Sequence, residues 1–485
     1  MKVFIVFDDT GKKSEMVADI IGNKGFSDVV VKKQRLEERY RLELEKVYGS
    51  LVFRRLRSFF EYPELIKELE LYEASDMRVV HCFSNYLIAD PQKALLSFKK
   101  LEYIDEPYGM LFEGRSVAAL FADVPSYIRF CKNAMSGQKA WDMARSMSAN
   151  FEAEGLIDIG DIQNFIQCIT GDFDSRYFNS LKEDEYTVTK TSSDKKKLKA
   201  EYDFYHLLPD DMKFWFVMPF DYKENGDSAS YTMERLHMTD LAIKWVHGSM
   251  DEAEFCALMD KYFYFFSCRH SKECKKKEAE KVAAALYEDK VRDRFEQLQK
   301  HPDFKKLKAL LDASGNIDLD DLFNRYFELK NRIEARVVKK QQLVIGHGDP
   351  CFANALYNRS ANILKFIDPK GANSEKELWT DAYYDVAKLS HSVCGRYDFF
   401  NNGMFDIKID TDLSYVLEIP FDNSMYKEVF LKKAAENGFD PLLVRVYEAS
   451  LFLSMLPLHM DNPHKVLGFI LNAAGILDEI DRGGV

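Results

Sequence analysis

The period of the apolar positions changes twice along this chain. Near the start, KVFIVF (2–7), DVVV (28–31), MRVVHCF (77–83) and SVAALFADV (116–124) are short apolar runs that end in polar residues. SEMVADIIGNKG (14–25) separates the first two with helical spacing and a glycine stop. Strands alternating with helices predict an α/β unit around a mostly parallel sheet, placed over 1–148. Between 171 and 240 the pattern shortens to alternation with aromatics: RYFNSL, EYTVTKTS, FWFVMPFDY and SYTMERL read as strands. A single helical stretch, DKKKLKAEYDFYHLLP, interrupts them and stops at Pro209. From 241 onward the period is helical. Phe255, Leu258, Met259, Tyr262, Phe263 and Phe266 fall on one stripe, as do Leu322, Tyr326, Leu329 and Ile333. The expected organisation is an α/β unit over 1–148, a β-rich lobe over 149–240 and a mostly helical lobe over 241–485.

A length of 485 residues agrees with more than one core. The net charge of −12 makes nucleic acid or an anionic membrane an unsuitable partner for the whole molecule. The basic runs at 194–199 and 272–281 lie among acids and read as solvated helix faces. Met1 leads straight into a six-residue strand run with no signal-peptide pattern, and no apolar stretch reaches the length of a membrane span. Eight scattered cysteines make no disulfide framework, and Cys268, His270 and Cys274 lack the CxxC partner of a zinc site. A reduced, cytoplasmic protein without membrane insertion is expected.

Two short strands interrupt the helical region and carry the most specific chemistry. QQLVIG is followed by HGDPCFANALYN (347–358), and ILKFI by DPKG (368–371). Asp349 lies just past the first strand. Asn354 follows five residues on, and Asp368 ends the strand after it. A hairpin would bring Asn354 and Asp368 to one edge. A carboxylate and an amide oxygen that converge form a hard oxygen site suited to Mg²⁺, which in turn holds phosphates. A separate carboxylate nearby, Asp349, can take a proton from an attacking hydroxyl, as phosphoryl transfer requires.

HGD-x4-N followed by a strand and IDPKG resembles the catalytic loop and metal segment of the aminoglycoside phosphotransferase and choline kinase superfamily. That resemblance implies a protein-kinase-like bilobal fold and ATP with Mg²⁺ as cofactors. It implies Asp349 as base, His347 as a brace of its loop, and Asn354 and Asp368 as metal ligands. It extends upstream in order. Lys190 in EYTVTKTSS stands where the family has its phosphate-binding lysine, and Glu201 on the next helix is its implied partner. Glu234, Arg235 and Leu236 of SYTMERL stand at the adenine-binding hinge. Asp385 would be the structural acid. No glycine-rich loop precedes Lys190; Ser175, Arg176 and Asn179 occupy its place, with Ser175 a candidate phosphate contact. The resemblance covers about 171–485.

Acceptor candidates near Asp349 are Lys370, His391 and Asp398, with Tyr397 and His459 beside them. They do not select a substrate within small hydroxylated metabolites such as amino alcohols or sugars. The front unit, with FDDTG after its first strand, resembles a degenerate nucleotidyltransferase-like domain of bacterial capsule or surface-glycan proteins. It lacks that family's glycine- and arginine-containing loop, so a binding or assembly module is expected. Three readings follow: a small-molecule kinase, a bifunctional kinase and nucleotidyltransferase, and a non-catalytic scaffold. Retention of Asp349, Asn354, Asp368 and Lys190 together argues against the third.

Overall fold

A computed structural model of the chain describes residues 2–31, 33–72, 76–170, 179–315 and 317–483. It divides into two compact units, Met1–Phe173 with His247–Ser249, and Asp174–Val246 with Met250–Val485.

The first unit is built on a six-stranded sheet. Its strands are β1 (Lys2–Asp8), β2 (Leu51–Leu56), β3 (Met77–Phe83), β4 (Tyr108–Phe112), β5 (Arg115–Phe121) and β6 (Ala149–Glu152), in the order β2-β1-β3-β5-β4-β6. Every residue of β1 after Lys2 is buried. Such a run is what a central strand covered on both faces needs. β1 pairs in parallel with β2 and β3, and β4 with β6. β5 alone runs against its neighbours. The mostly parallel sheet is present, with one reversed strand that apolar patterning cannot distinguish. Two expectations are corrected. DVVV forms a 3₁₀ turn (Phe26–Asp28) and a strand of only two residues, Val30–Val31. The first unit also does not stop at 148. Ala149–Glu152 is an edge strand of its sheet, and Leu156–Asp158 pairs with Tyr86–Ile88 of the same unit.

The second unit opens with an antiparallel sheet of β7 (Asn179–Glu183), β8 (Thr187–Ser192), β9 (Pro219–Asn225) and β10 (Ser228–Glu234), in the order β7-β8-β10-β9. One helix, α1 (Lys195–Leu207), lies between β8 and β9 in sequence. It starts where the Asp194 carboxylate caps the Lys197 N–H and ends before Pro209. The expected strand FWFVMPFDY is only half correct. Pro219 begins β9, while the Val217 N–H bonds the Phe366 carbonyl and the Phe366 N–H bonds the Trp215 carbonyl. Those upstream aromatics are thereby tied to the hairpin that ends at Phe366 instead of the sheet.

The rest is mainly helical around one core. α2 (Glu252–Cys268) and α3 (Leu319–Glu334) bury the stripes read from the sequence. β11 (Gln342–Ile345), β12 (Ala355–Asn358) and β13 (Ile363–Phe366) are the short strands of the motif. α4 (Ala382–Val393), α5 (Pro441–Met455) and α6 (Pro463–Asp481) complete the lobe. The stretch Pro441–His459 is long and apolar enough to cross a membrane, contrary to the expectation that no stretch is. It is mostly buried, and it carries the fully buried pair Arg445–Glu448 at 2.5 Å, the signature of a core helix.

Candidate active site

β12 and β13 pair with Ala355 opposite Phe366, and the Ile367 N–H bonds the Asn354 carbonyl. Asn354 and Asp368 therefore leave the hairpin at one edge. The Asn354 amide nitrogen donates to the Asp349 carbonyl at 2.9 Å, which orients its side-chain oxygen away from that bond. Asp368 takes a left-handed backbone, φ 54°, uncommon for a residue with a side chain. Among the described residues, no group of three or more His, Cys, Asp or Glu side chains could hold a metal. One carboxylate and one amide oxygen nevertheless fit Mg²⁺, which completes its shell from phosphates and water.

Lys190 reaches this edge from β8. Its ammonium lies 2.7 Å from Glu201 Oε2 and 3.0 Å from Asp368 Oδ1. Burial is the largest influence on the lysine and opposes its charge, but Asp368 and Glu201 together outweigh it and hold the pKa above the ordinary value. Burial is also the largest influence on Glu201 and pushes its carboxyl up, against Lys190. The Gly371 turn allows α1 to sit close by. At φ 90°, a Cβ there would lie 2.8 Å from the Ala200 carbonyl carbon and 2.9 Å from the Glu201 nitrogen. The Ala372 N–H bonds the Ala200 carbonyl at 2.9 Å. A small cavity behind the pair is lined by Glu201, Phe216, Tyr231, Met233, Phe366 and Asp368.

The loop carrying Asp349 is held from beneath. The fully buried Asp385 carboxylate accepts the N–H groups of His347 at 2.9 Å and Gly348 at 2.8 Å, and pairs with Arg269 at 3.0 Å. The Asp349 N–H donates to His347 Nδ1 at 3.0 Å, so the ring proton sits on Nε2 and bonds the Ile367 carbonyl at 3.0 Å. Burial keeps that imidazole neutral by lowering its pKa. His347 thus links the Asp349 loop to the residue before Asp368 and touches no free space itself.

Asp349 has its own cation, Lys388 of α4, at 3.0 Å. Burial works against the ionised carboxyl, but Lys388 and then His347 overturn it and hold the pKa below the usual range. Lys388 in turn is held protonated by Asp349, against burial. Sequence reading missed this lysine. Its signal was present: Tyr384, Lys388 and His391 recur at i, i+4 and i+7 on one helix face, a polar stripe in an otherwise buried helix.

The acceptor candidates gather on this side. His391 is buried and stacks on Tyr397 with centroids 4.2 Å apart. Asp398 is fully buried; desolvation pushes its carboxyl up to about 7, and the Asp349 charge adds to that. The Lys370 N–H bonds the His347 carbonyl, and its side chain lies over Gly348. At the hinge, the Arg235 N–H bonds the Tyr186 carbonyl at 2.8 Å and its guanidinium the Asp184 carbonyl at 2.7 Å, so its N–H and side chain extend the sheet. Glu234 ends β10, and Leu236 follows in a turn whose carbonyl takes the Met238 N–H. Ser175 and Arg176 lie outside the described residues.

No protein-family model matches the sequence, and no curated protein matches it. Among solved structures, the chain is similar to a thermostable mutant of the aminoglycoside phosphotransferase APH(4)-Ia. Its apo form is 12% identical, with a TM-score of 0.35, over 62% of this chain and 94% of that one. An aspartate-to-alanine variant of it in ternary complex with ADP and hygromycin B is 12% identical at 0.35, over 65% and 98%. An asparagine-to-alanine variant with AMP-PNP and hygromycin B is 12% identical at 0.36, over 65% and 97%.

Proposed function

We propose that the second unit is a kinase-like phosphotransferase that moves the terminal phosphoryl group of ATP to a hydroxyl of a small molecule. The observation that carries this reading is the position of Lys190, within 3.0 Å of both Glu201 and Asp368. It joins the sheet, its helix and the oxygen ligands at one point, on the edge where the braced Asp349 loop begins.

Asn354 and Asp368 would hold Mg²⁺, which supplies charge neutralisation of the phosphates when bound. Lys190 would share that task as a fixed donor, kept in place by Glu201. The backbone of Glu234 and Leu236 would meet the adenine. Asp349 orients the acceptor hydroxyl and takes its proton as the oxygen bonds to phosphorus and the bond to the ADP oxygen breaks. Lys388 keeps Asp349 ionised and aimed. Because its pKa is depressed, Asp349 is a weak base and removes the proton late.

In the first unit, the two acids of FDDTG are already engaged. Asp8 bonds His81 at 2.9 Å, and His81 bonds Tyr127 at 2.8 Å. Asp9 takes the Ser84 hydroxyl at 2.7 Å and Arg55 at 3.1 Å. Such saturated carboxylates favour a binding or assembly role over nucleotide transfer.

Calorimetry of Mg²⁺-ATP binding to the full chain tests the reading. Asp368→Ala is expected to weaken binding at least about tenfold, the loss of one charge-assisted contact. Equal affinities in the two proteins would overturn it.

A further inference from the structure

The side of α4 that faces Asp349 carries more positive charge than a base needs. Lys388 holds Asp349 itself. Lys290 donates to the Tyr384 hydroxyl at 3.0 Å, one turn before Lys388 on the same face. Lys370 lies over Gly348 beside the same loop. The charges of Lys290, Lys388 and Lys370 together outweigh burial at the Tyr384 phenol and lower its pKa. The acids around it are Asp349, already paired with Lys388, Asp381, which caps α4 and takes the Tyr287 hydroxyl, and Asp398, whose carboxyl desolvation pushes up to about 7.

His391 supplies an independent observation. It is 1% exposed, and among the described residues neither ring nitrogen has a hydrogen-bond partner. A neutral imidazole always carries one N–H donor and one acceptor, and leaving both unmade in the interior costs the desolvation of each. Aromatic faces of Tyr397 and Phe452 pack against the ring, each with centroids 4.2 Å away, and offer it no polar partner. Burial, then Lys388 and Lys290, push its pKa well below the ordinary value, so it is a neutral donor and acceptor. A buried neutral imidazole on the helix face whose Tyr384 and Lys388 hold one ammonium and supply another suits a ligand that brings negative charge and hydroxyl groups.

We infer that the acceptor is an anionic hydroxy-metabolite, of the sugar-phosphate or hydroxy-acid kind, with its anion held by Lys290 and Lys370 and a hydroxyl bonded to His391. This rests on the kinase reading of the same site. It separates the protein from a kinase for aminoglycosides or amino alcohols, whose cationic acceptors would face three lysines. Phosphate ester and carboxylate share the recognising chemistry, so both are tested.

The experiment uses the full-length protein saturated with Mg²⁺-ADP. Glycerol 3-phosphate, D-glycerate, glycerol and choline are titrated separately by calorimetry at low ionic strength. At least one anion is expected to bind ten or more times tighter than glycerol and choline. The phosphate arm winning alone identifies an ester site, and the carboxylate arm winning alone an acid site. Glycerol or choline binding as tightly as both anions overturns the inference. Lys290→Gln and His391→Asn are each expected to weaken the favoured anion at least about tenfold while leaving Mg²⁺-ADP affinity within twofold. Unchanged anion affinity in both variants, with normal circular dichroism, removes the assigned residues. Loss of nucleotide binding by Asp368→Ala is scored separately. Normal nucleotide binding without anion preference sinks this inference and leaves the kinase reading standing.

Discussion

Replacing Lys190 by methionine removes one ammonium but affects two carboxylates unequally. Asp368 is 39% exposed at its side chain and can return to water. Glu201 is 3% exposed there and cannot. Lys190→Met therefore leaves a buried carboxylate with only the half-exposed Lys197, 3.7 Å from its other oxygen, and breaking a buried pair from one side costs up to about 3–5 kcal/mol. The Tyr231 hydroxyl, 3.4 Å from Glu201, is too long a contact to replace it. Lys190→Met/Glu201→Leu removes both charges and fills the space with apolar groups. Its stability should return to within about 1 kcal/mol of the parent, since such replacements are near neutral or better. Global unfolding of a two-unit chain is not a two-state measurement. The assay is hydrogen exchange of the amides in β8 and α1, read against the parent. The single variant should exchange roughly 10²- to 10³-fold faster there, and the double variant near the parental rate. Nucleotide affinity should behave differently. Both variants lack the phosphate contact and should lose about 10- to 150-fold in Mg²⁺-ATP affinity, the worth of a charge-assisted bond of about 1.5–3 kcal/mol. Equal exchange in the single and double variants would show that Glu201 is not stranded. Parental ATP affinity in both would remove Lys190 from phosphate binding, whatever its structural role.

Asp349→Asn keeps the hydrogen bonds of the loop and removes the proton acceptor; acceptor phosphorylation should fall about 10²–10⁴-fold with ATP affinity changed less than about tenfold, measured in parallel assays. Near-parental turnover would take Asp349 out of the chemistry. Gly371→Ala places a Cβ at 2.9 Å from the Glu201 nitrogen at a left-handed position, so hydrogen exchange of the α1 amides should reveal about 1–3 kcal/mol of local destabilisation and nucleotide should bind more weakly. A variant with unchanged ATP affinity would show that the approach of α1 is not needed. Asp398 has a folded pKa raised to about 7, so the folded state binds the extra proton between about 4 and 7, and stability falls as pH rises through that window. Asp398→Asn should therefore melt higher than the parent at pH 8.5, with the gap closing toward pH 5; a gap independent of pH would mean the carboxyl titrates normally.

Much of the architecture could be read from residues a few positions apart. The stripes of α2 and α3, the buried run of β1 and the stop of α1 before Pro209 each arise from local periodicity, because a helix or strand must bury one face. Asn354 and Asp368 could be placed together for a related reason, since the hairpin between them returns the chain to one edge, while Asp349 rested on its place past a strand and on the resemblance of its motif. The lysine that joins them was harder. Lys190 competes in sequence with Lys195, Lys196 and Lys197, and only the pairing of β8 with β10 and the closeness of α1 select the one whose ammonium is buried. The 148 boundary failed because Ala149–Glu152 is an ordinary short strand, and its neighbour β4 lies about 40 residues back. That the Arg235 N–H goes to the Tyr186 carbonyl could not be read from sequence, because the two are 49 positions apart. Lys388 is 39 positions from Asp349, and no local pattern connects them; their ion pair exists because Asp385, on the same helix, anchors α4 beneath the loop. Local sequence thus determined which residues could make an oxygen-rich site. Tertiary packing decided which cations face it, since charge acts through space and a cation's partner is set by which elements the core brings together.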